Sequence, residues 1–145
     1  MNEFAASGLP VTRQVPVIAG HSYPVRYAGR ASDGRTPFTT QTDLFVQHGF
    51  KVGGGRELQL QANVLNLFDQ RTVNSKVTTM RRGSGAIPLA PGYYTEAEFY
   101  AGQLNFDDLI AKSVANGFML LNPQFLMANG YQAPIALRIG ARFTF

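Results

Sequence analysis

The last eleven residues, Ile135 to Phe145, read IALRIGARFTF and alternate apolar with polar without a break. Ile135, Leu137, Ile139, Ala141, Phe143 and Phe145 share one parity, and Ala136, Arg138, Gly140, Arg142 and Thr144 the other. A strand turns successive side chains to opposite faces, so this segment has one apolar and one polar face. Chain ends are ordinarily frayed and polar. A large aromatic as the final residue therefore predicts a strand that is structural and also a targeting signal.

Two further stretches follow the same rule. From Phe38 to Val52, Leu44, Val46, Phe50 and Val52 lie on one face, with Gln41, Asp43, Gln47 and Lys51 on the other. His48 falls on the apolar side and Phe45 on the polar side. Between Glu57 and Phe68, Leu58, Leu60, Ala62 and Val64 oppose Glu57, Gln59, Gln61 and Asn63. Gly53-Gly54-Gly55 separates the two stretches, and strands joined by a short glycine turn form an antiparallel hairpin.

The remainder reads differently. Residues 1–37 are rich in Gly, Pro, Ser and Arg, and Pro16 and Pro24 interrupt the apolar patches Val15–Ile18 and Tyr23–Tyr27. Proline removes a ladder donor, which predicts edge or loop pieces there, with a tight turn at Asp33–Gly34. Residues 69–131 exceed the usual connection length. Thr95 with Glu98 resembles a capping box, and Phe99, Leu104, Leu109, Ile110 and Val114 recur at helical spacing up to a stop at Gly117. One or two short helices are expected within this long connection.

No apolar run approaches the roughly 20 residues of a spanning helix, and the N-terminus, MNEFAASGLPV, lacks the pattern of a signal peptide. A membrane role would have to use strands. Strands of about 9–11 residues, apolar outside and polar inside, build transmembrane barrels with short turns on one side and long loops on the other. Asp43, Gln47, Lys51, Gln59, Gln61, Arg138 and Arg142 are heavy polarity for a dry core and suit a wet lumen. The rival is a soluble sandwich with one wet face. The loop length and the terminal phenylalanine favour the barrel. Three clear strands cannot close one, and an open edge in lipid leaves costly unpaired backbone groups. The chain is therefore expected to be part of a longer protein.

Other chemistry finds little support. The net charge of +4 and pI near 9.7 come without a dense Lys/Arg block, so no nucleic-acid partner is expected. There is no cysteine, and His21 and His48 are the only histidines, so no metal or cofactor site is expected. Asp107–Asp108 reads as a solvated helix face, and no nucleophile–base constellation is visible. An enzyme is not expected. Phe50, Phe143 and Phe145 fall at the glycine-turn end and Phe68 and Tyr131 at the other, as interfacial aromatic girdles do. Tyr93, Tyr94, Phe99 and Tyr100 either pack the loop helix or stack on a sugar.

The stretch NVLNLFDQ (Asn63 to Gln70) resembles the Asn-Leu-Phe element near the end of TonB-dependent outer-membrane receptors, and ALRIGARFTF resembles their last strand. Upstream, SGLPVTR (Ser7 to Arg13) and GRASDGRTPFTTQTDLFVQH (Gly29 to His48) resemble the Oar-like subgroup, often grouped with carbohydrate-associated receptors. The resemblance implies a Gram-negative outer-membrane location and a parent barrel of about 22 strands around a plug. It implies that Leu137, Ile139, Ala141, Phe143 and Phe145 form the signal read by the barrel-assembly machinery. The implied partners are outer-membrane lipid, the rest of the barrel and plug, and TonB through N-terminal parts not found in this sequence. Nutrient uptake would not be carried out by these residues alone.

The resulting expectation is a mainly β, antiparallel transmembrane β-barrel fragment of three to four strands with a long, partly helical extracellular loop. Residues 1–37 supply a loop and a preceding strand end, 38–68 a hairpin, 69–131 the long loop and 132–145 the C-terminal strand. The alternative is a soluble carbohydrate-binding or adhesion module.

Overall fold

The computed structural model describes residues 1–89 and 93–145, so the part of the expected long loop at 90–92 lies outside the described residues. The elements in chain order are β1 (Asn2–Ala6), β2 (Val15–Ala19), β3 (His21–Val25), β4 (Thr39–Gly53), β5 (Arg56–Leu65), β6 (Val73–Lys76) and β7 (Ile87–Pro88). They are followed by α1 (Glu96–Tyr100), α2 (Phe106–Ala115), β8 (Ala128–Tyr131) and β9 (Ala136–Thr144). The fold is mainly β. Two compact units share the chain: Met1–Gly8, Pro37–Asn74 and Gly130–Phe145 form one, and Leu9–Thr36 with Ser75–Asn129 the other.

The first unit is built on a four-stranded antiparallel sheet in the order β1-β4-β5-β9. The expected hairpin is present. Gly54 and Gly55 at its tip have φ of 62° and 78°, the left-handed values that a two-residue turn of right-twisting strands requires. The register slips between Lys51 and Gly53 just before that turn. β5 ends at Leu65, short of the expected Phe68, because Asn66 takes a φ of 52° and turns the chain out of the ladder. Among the described residues the sheet closes no barrel, and β1 and β9 stand at its edges.

The second unit holds the apolar core. Val15, Val17, Ala19, Ile87, Leu89, Leu109, Ile110 and Met119 are buried together, with Tyr27, Met80, Tyr94, Phe99, Leu104 and Phe106 packed around them. Here one expectation is corrected. β2, which contains Pro16, is the central strand of the sheet β3-β2-β7 and not an edge or loop piece. Pro16 sits opposite Pro24, and two residues lacking N–H groups fit across from each other where an antiparallel pair exchanges no hydrogen bonds. The parallel pairing with β7 starts only at Val17, so Pro16 leaves no donor missing there.

The helices follow their sequence signals. Thr95 caps α1 in a reciprocal capping box with Glu98, whose carboxylate accepts from the Thr95 N–H at 2.7 Å. Asn105 caps α2 by accepting from the Asp108 N–H at 3.1 Å. Gly117, at φ 74°, ends that helix. Leu109 and Ile110 face the core, and Val114 is exposed. The long connection also contains β6, β7 and β8, which alternation alone did not reveal.

Candidate functional site

The register of the first unit sorts its side chains into two surfaces. Residues paired across an antiparallel ladder point the same way. One surface therefore carries four rows: Leu44, Val64 and Leu137; Val46, Ala62 and Ile139; His48, Leu60 and Ala141; Phe50, Leu58 and Phe143. His48 is the one polar side chain in these rows. It sits within the band and not at its margin, with its ring edge-on to Phe50 at 4.5 Å. The terminal-strand residues Leu137, Ile139, Ala141 and Phe143 all lie on this surface. Phe145 follows the last paired residue, with its ring centroid 6.2 Å from that of Phe143.

These residues are not a core. Ile139 is 77% exposed, Leu137 61% and Val46 55%. Every buried apolar residue among those described belongs to the second unit. The exposed face amounts to on the order of 600 Å², at the top of the range for the largest apolar patch on a soluble monomer, where such patches are often functional. A sandwich would have covered it with a second sheet.

The opposite surface is polar. Phe45, Asn63 and Arg138 form one row; Gln47, Gln61 and Gly140 the next; then Gly49, Gln59 and Arg142; then Lys51, Glu57 and Thr144. Asp43 shares that parity nearer the start of β4. Asp43, Gln47, Lys51, Gln59, Gln61, Arg138 and Arg142 are thus gathered on one face. Two glycines there are roofed by long polar side chains. A Cβ on Gly140 would lie 2.6 Å from Gln61 Nε2, and one on Gly49 would collide with the Glu57 carboxylate. The glycine that interrupts ALRIGARFTF makes room for a glutamine of the neighbouring strand.

At the end of the sheet away from the glycine turn, the NLFDQ stretch forms a polar clasp. Asn66 is 2% exposed. Its Nδ2 donates to Gln70 O at 2.9 Å and to Ala133 O at 2.7 Å, and its Oδ1 accepts from the Gln70 N–H at 3.0 Å. Asp43 Oδ1 accepts from the Asn66 N–H at 2.9 Å, so Asp43 ties β4 to the turn after β5. Gln70 and Gln132 both donate through Nε2 to Thr40, to its hydroxyl at 2.7 Å and its carbonyl at 2.8 Å. Asp69 Oδ1 accepts from the Ile135 N–H at 3.1 Å, while Arg71 pairs with the other oxygen at 2.6 Å. The Arg71 hydrogen bond, helped by the Ile135 N–H, holds the Asp69 carboxyl below its ordinary pKa. The motif was visible as a run of residues. Its role as the joint between β4, β5 and the start of β9 comes from partners distant in sequence, Asp43 and Ala133.

In the second unit, the loop tyrosines pack on α2. Tyr94 donates its hydroxyl hydrogen to Asp108 at 2.9 Å, Tyr93 accepts from Asn116 at 2.7 Å, and Lys112 Nζ lies 5.1 Å from the Tyr93 ring centre. Asp108 is paired with Lys112 at 2.7 Å, so its helix face is a local ion pair. Asp33, unpartnered from sequence alone, is gripped by Arg13, with Nη2 to Oδ1 at 2.6 Å and the backbone N–H to Oδ2 at 2.9 Å. Among the described residues no three His, Cys, Asp or Glu side chains gather as metal ligands. Nor is any helix long and apolar enough to cross a membrane, which leaves strands unaddressed.

No family model and no solved structure matches the sequence. Over 120 residues, 80% of its length, the chain is 28% identical to the TonB-dependent transporter Oar of Myxococcus xanthus. The chain spans 11% of the length of that relative. The similarity relates this β-rich chain to a TonB-dependent transporter.

Proposed function

We propose that the chain supplies wall strands of an outer-membrane β-barrel transporter of the TonB-dependent, Oar-like kind. The surface around Val46, Leu60, Leu137 and Ile139 faces lipid hydrocarbon. The surface around Gln47, Gln59, Gln61, Arg138 and Arg142 faces a wet lumen. The single observation that carries this reading is the exposed four-row apolar band backed by a polar face on the same strands. Covering about 600 Å² of apolar surface is worth on the order of 15 kcal/mol, enough to make burial of that face obligatory. Lipid supplies the cover without a second sheet, and neighbouring strands of the same barrel satisfy the edges of β1 and β9.

Leu137, Ile139, Ala141, Phe143 and Phe145 would be read by the barrel-assembly machinery as an added edge strand. The second unit is an extracellular loop module. The cargo is a nutrient, carbohydrate-related by analogy with the subgroup. Plug and TonB contacts lie in parts of a transporter that this sequence does not contain. We assign the chain no catalytic role.

The chain has no tryptophan, so one introduced tryptophan is a clean reporter. Ile139→Trp and Gln61→Trp sit in adjacent rows on opposite faces. In vesicles containing brominated lipid, Ile139→Trp should be blue-shifted and strongly quenched. Gln61→Trp should be quenched instead by aqueous iodide. Equal quenching of the two by lipid, or none of either, overturns the assignment of faces.

A further inference from the structure

We propose that a cavity in the second unit binds a small soluble organic anion through Arg26 and Arg30. The cavity is about 420 Å³ and is lined by Pro10, Thr12, Arg26, Gly29, Arg30 and Thr78. That volume falls in the roughly 300–1,000 Å³ range of small-molecule sites. Among its lining residues are two arginines and two threonines, and no acidic residue.

Neither arginine is neutralised. The ion pairs of this unit are Arg13 with Asp33 and Lys112 with Asp108, and neither Arg26 nor Arg30 forms one among the described residues. Asp33 lies on the same loop as Arg30, but Arg13 and Ser32 occupy its oxygens. Guanidinium presents a planar fork that matches the oxygens of phosphate or carboxylate. Two such forks on one concavity are complementary to an anion.

The backbone that carries them is braced. Ala31, next to Arg30, is held at a φ of 60°, a left-handed value that costs an alanine stability and tends to be retained at binding sites. Its N–H donates to Thr12 Oγ1 at 2.9 Å, and the Asp33 N–H to Val11 O at 3.0 Å. Across the cavity, Thr78 O accepts from the Gln14 N–H at 2.9 Å. Beside Arg26, Tyr27 stacks on Phe106 with centroids 5.1 Å apart. Gly29, another lining residue, is at φ 82° with nothing within 4 Å of where a Cβ would stand, so the space beside it is open.

The reading does not depend on what covers the sheet of the first unit. The test uses the full chain in nonionic detergent micelles, with glucose 6-phosphate as probe and glucose as neutral control, by titration calorimetry. Glucose 6-phosphate should bind at least tenfold tighter than glucose and weaken as salt rises. The Arg26→Gln/Arg30→Gln double variant should lose at least tenfold in affinity with an unchanged circular dichroism spectrum. In the unmutated protein, glucose 6-phosphate should protect both arginines from phenylglyoxal, read by mass spectrometry. Equal binding of the two sugars, undiminished binding by the double variant, or no protection overturns the proposal. So does protection of both arginines by phosphatidylglycerol-containing micelles and not by glucose 6-phosphate, which would make the ligand a lipid headgroup.

Discussion

Replacing Asn66 tests whether the clasp holds the sheet together. Asn66→Ala removes the two bonds donated to Gln70 O and Ala133 O and the one accepted from the Gln70 N–H. At about 0.5–1.5 kcal/mol net for each bond, that loss is roughly 1.5–4.5 kcal/mol. Holding alanine at the φ of 52° that asparagine tolerates there adds about 1 kcal/mol. The expected total is about 4 kcal/mol, a change of roughly a thousandfold in the folding constant. Urea unfolding in detergent micelles, followed by far-ultraviolet circular dichroism, reads it. Asn66→Gly keeps the left-handed backbone and loses the bonds, so it should recover part of the alanine penalty. Asn66→Asp keeps one acceptor but places a carboxylate against two carbonyl oxygens, and should be no better than alanine at neutral pH. A loss below about 1 kcal/mol for Asn66→Ala would refute the reasoning, since three buried bonds cannot be that cheap to break.

Four other substitutions have expected outcomes. In vesicles, Ile139→Arg should destabilise by about 2–4 kcal/mol, the depth-dependent cost of a cation on a lipid face. Gln61→Arg, one row away on the polar face, should change urea stability by less than about 1 kcal/mol. Gly54→Asn places the preferred residue at the first centre of the hairpin turn and should raise stability by about 0.5 kcal/mol in the same titration. Asp33→Asn should destabilise the second unit by about 2 kcal/mol at neutral pH, allowing for the partial exposure of Arg13. The Arg13 hydrogen bond lowers the Asp33 pKa in the folded state. Its contribution is therefore complete above the unfolded carboxyl value of about 3.9 and is lost as pH falls through the lower folded value. The gap between unmutated chain and variant, followed by thermal melts, should stay constant above about pH 5 and close in stronger acid.

Alternation made the strands legible because a ladder with two unlike surfaces leaves a period-two imprint on every residue. Leu137, Ile139, Ala141 and Phe143 could be assigned to one surface from sequence, and the register adds the rows they share with β4 and β5. Local signals were legible for the same reason: Thr95 with Glu98 and Gly117 act within one turn of backbone. What escaped depends on distant partners. Gln14 is bonded to the backbone around Thr78 and Thr79, and Val17 pairs with Ile87 in a two-residue strand too short to show a period. Pro16 looked disqualifying for a central strand until its partner proved to be Pro24. Asn66 is hidden in the same way, because a left-handed turn after a strand carries no periodicity. The arginines of the proposed anion site are separated by ordinary residues, and only the fold of the loop places them beside Thr12 and Thr78.

The bonds from Asn66 to Ala133 and from Asn74 to Tyr131 tie together the two ends of the stretch between β5 and β9. The intervening residues are thereby closed at their root, much as a drawstring closes a bag. The β5–β9 ladder starts directly beyond this closure, at Leu65 and Ala136. The intervening stretch carries Ile87, Leu109 and Met119, which pack with Val15 and Val17 of the 9–36 segment, so any replacement of different length must also supply a new cover for β2.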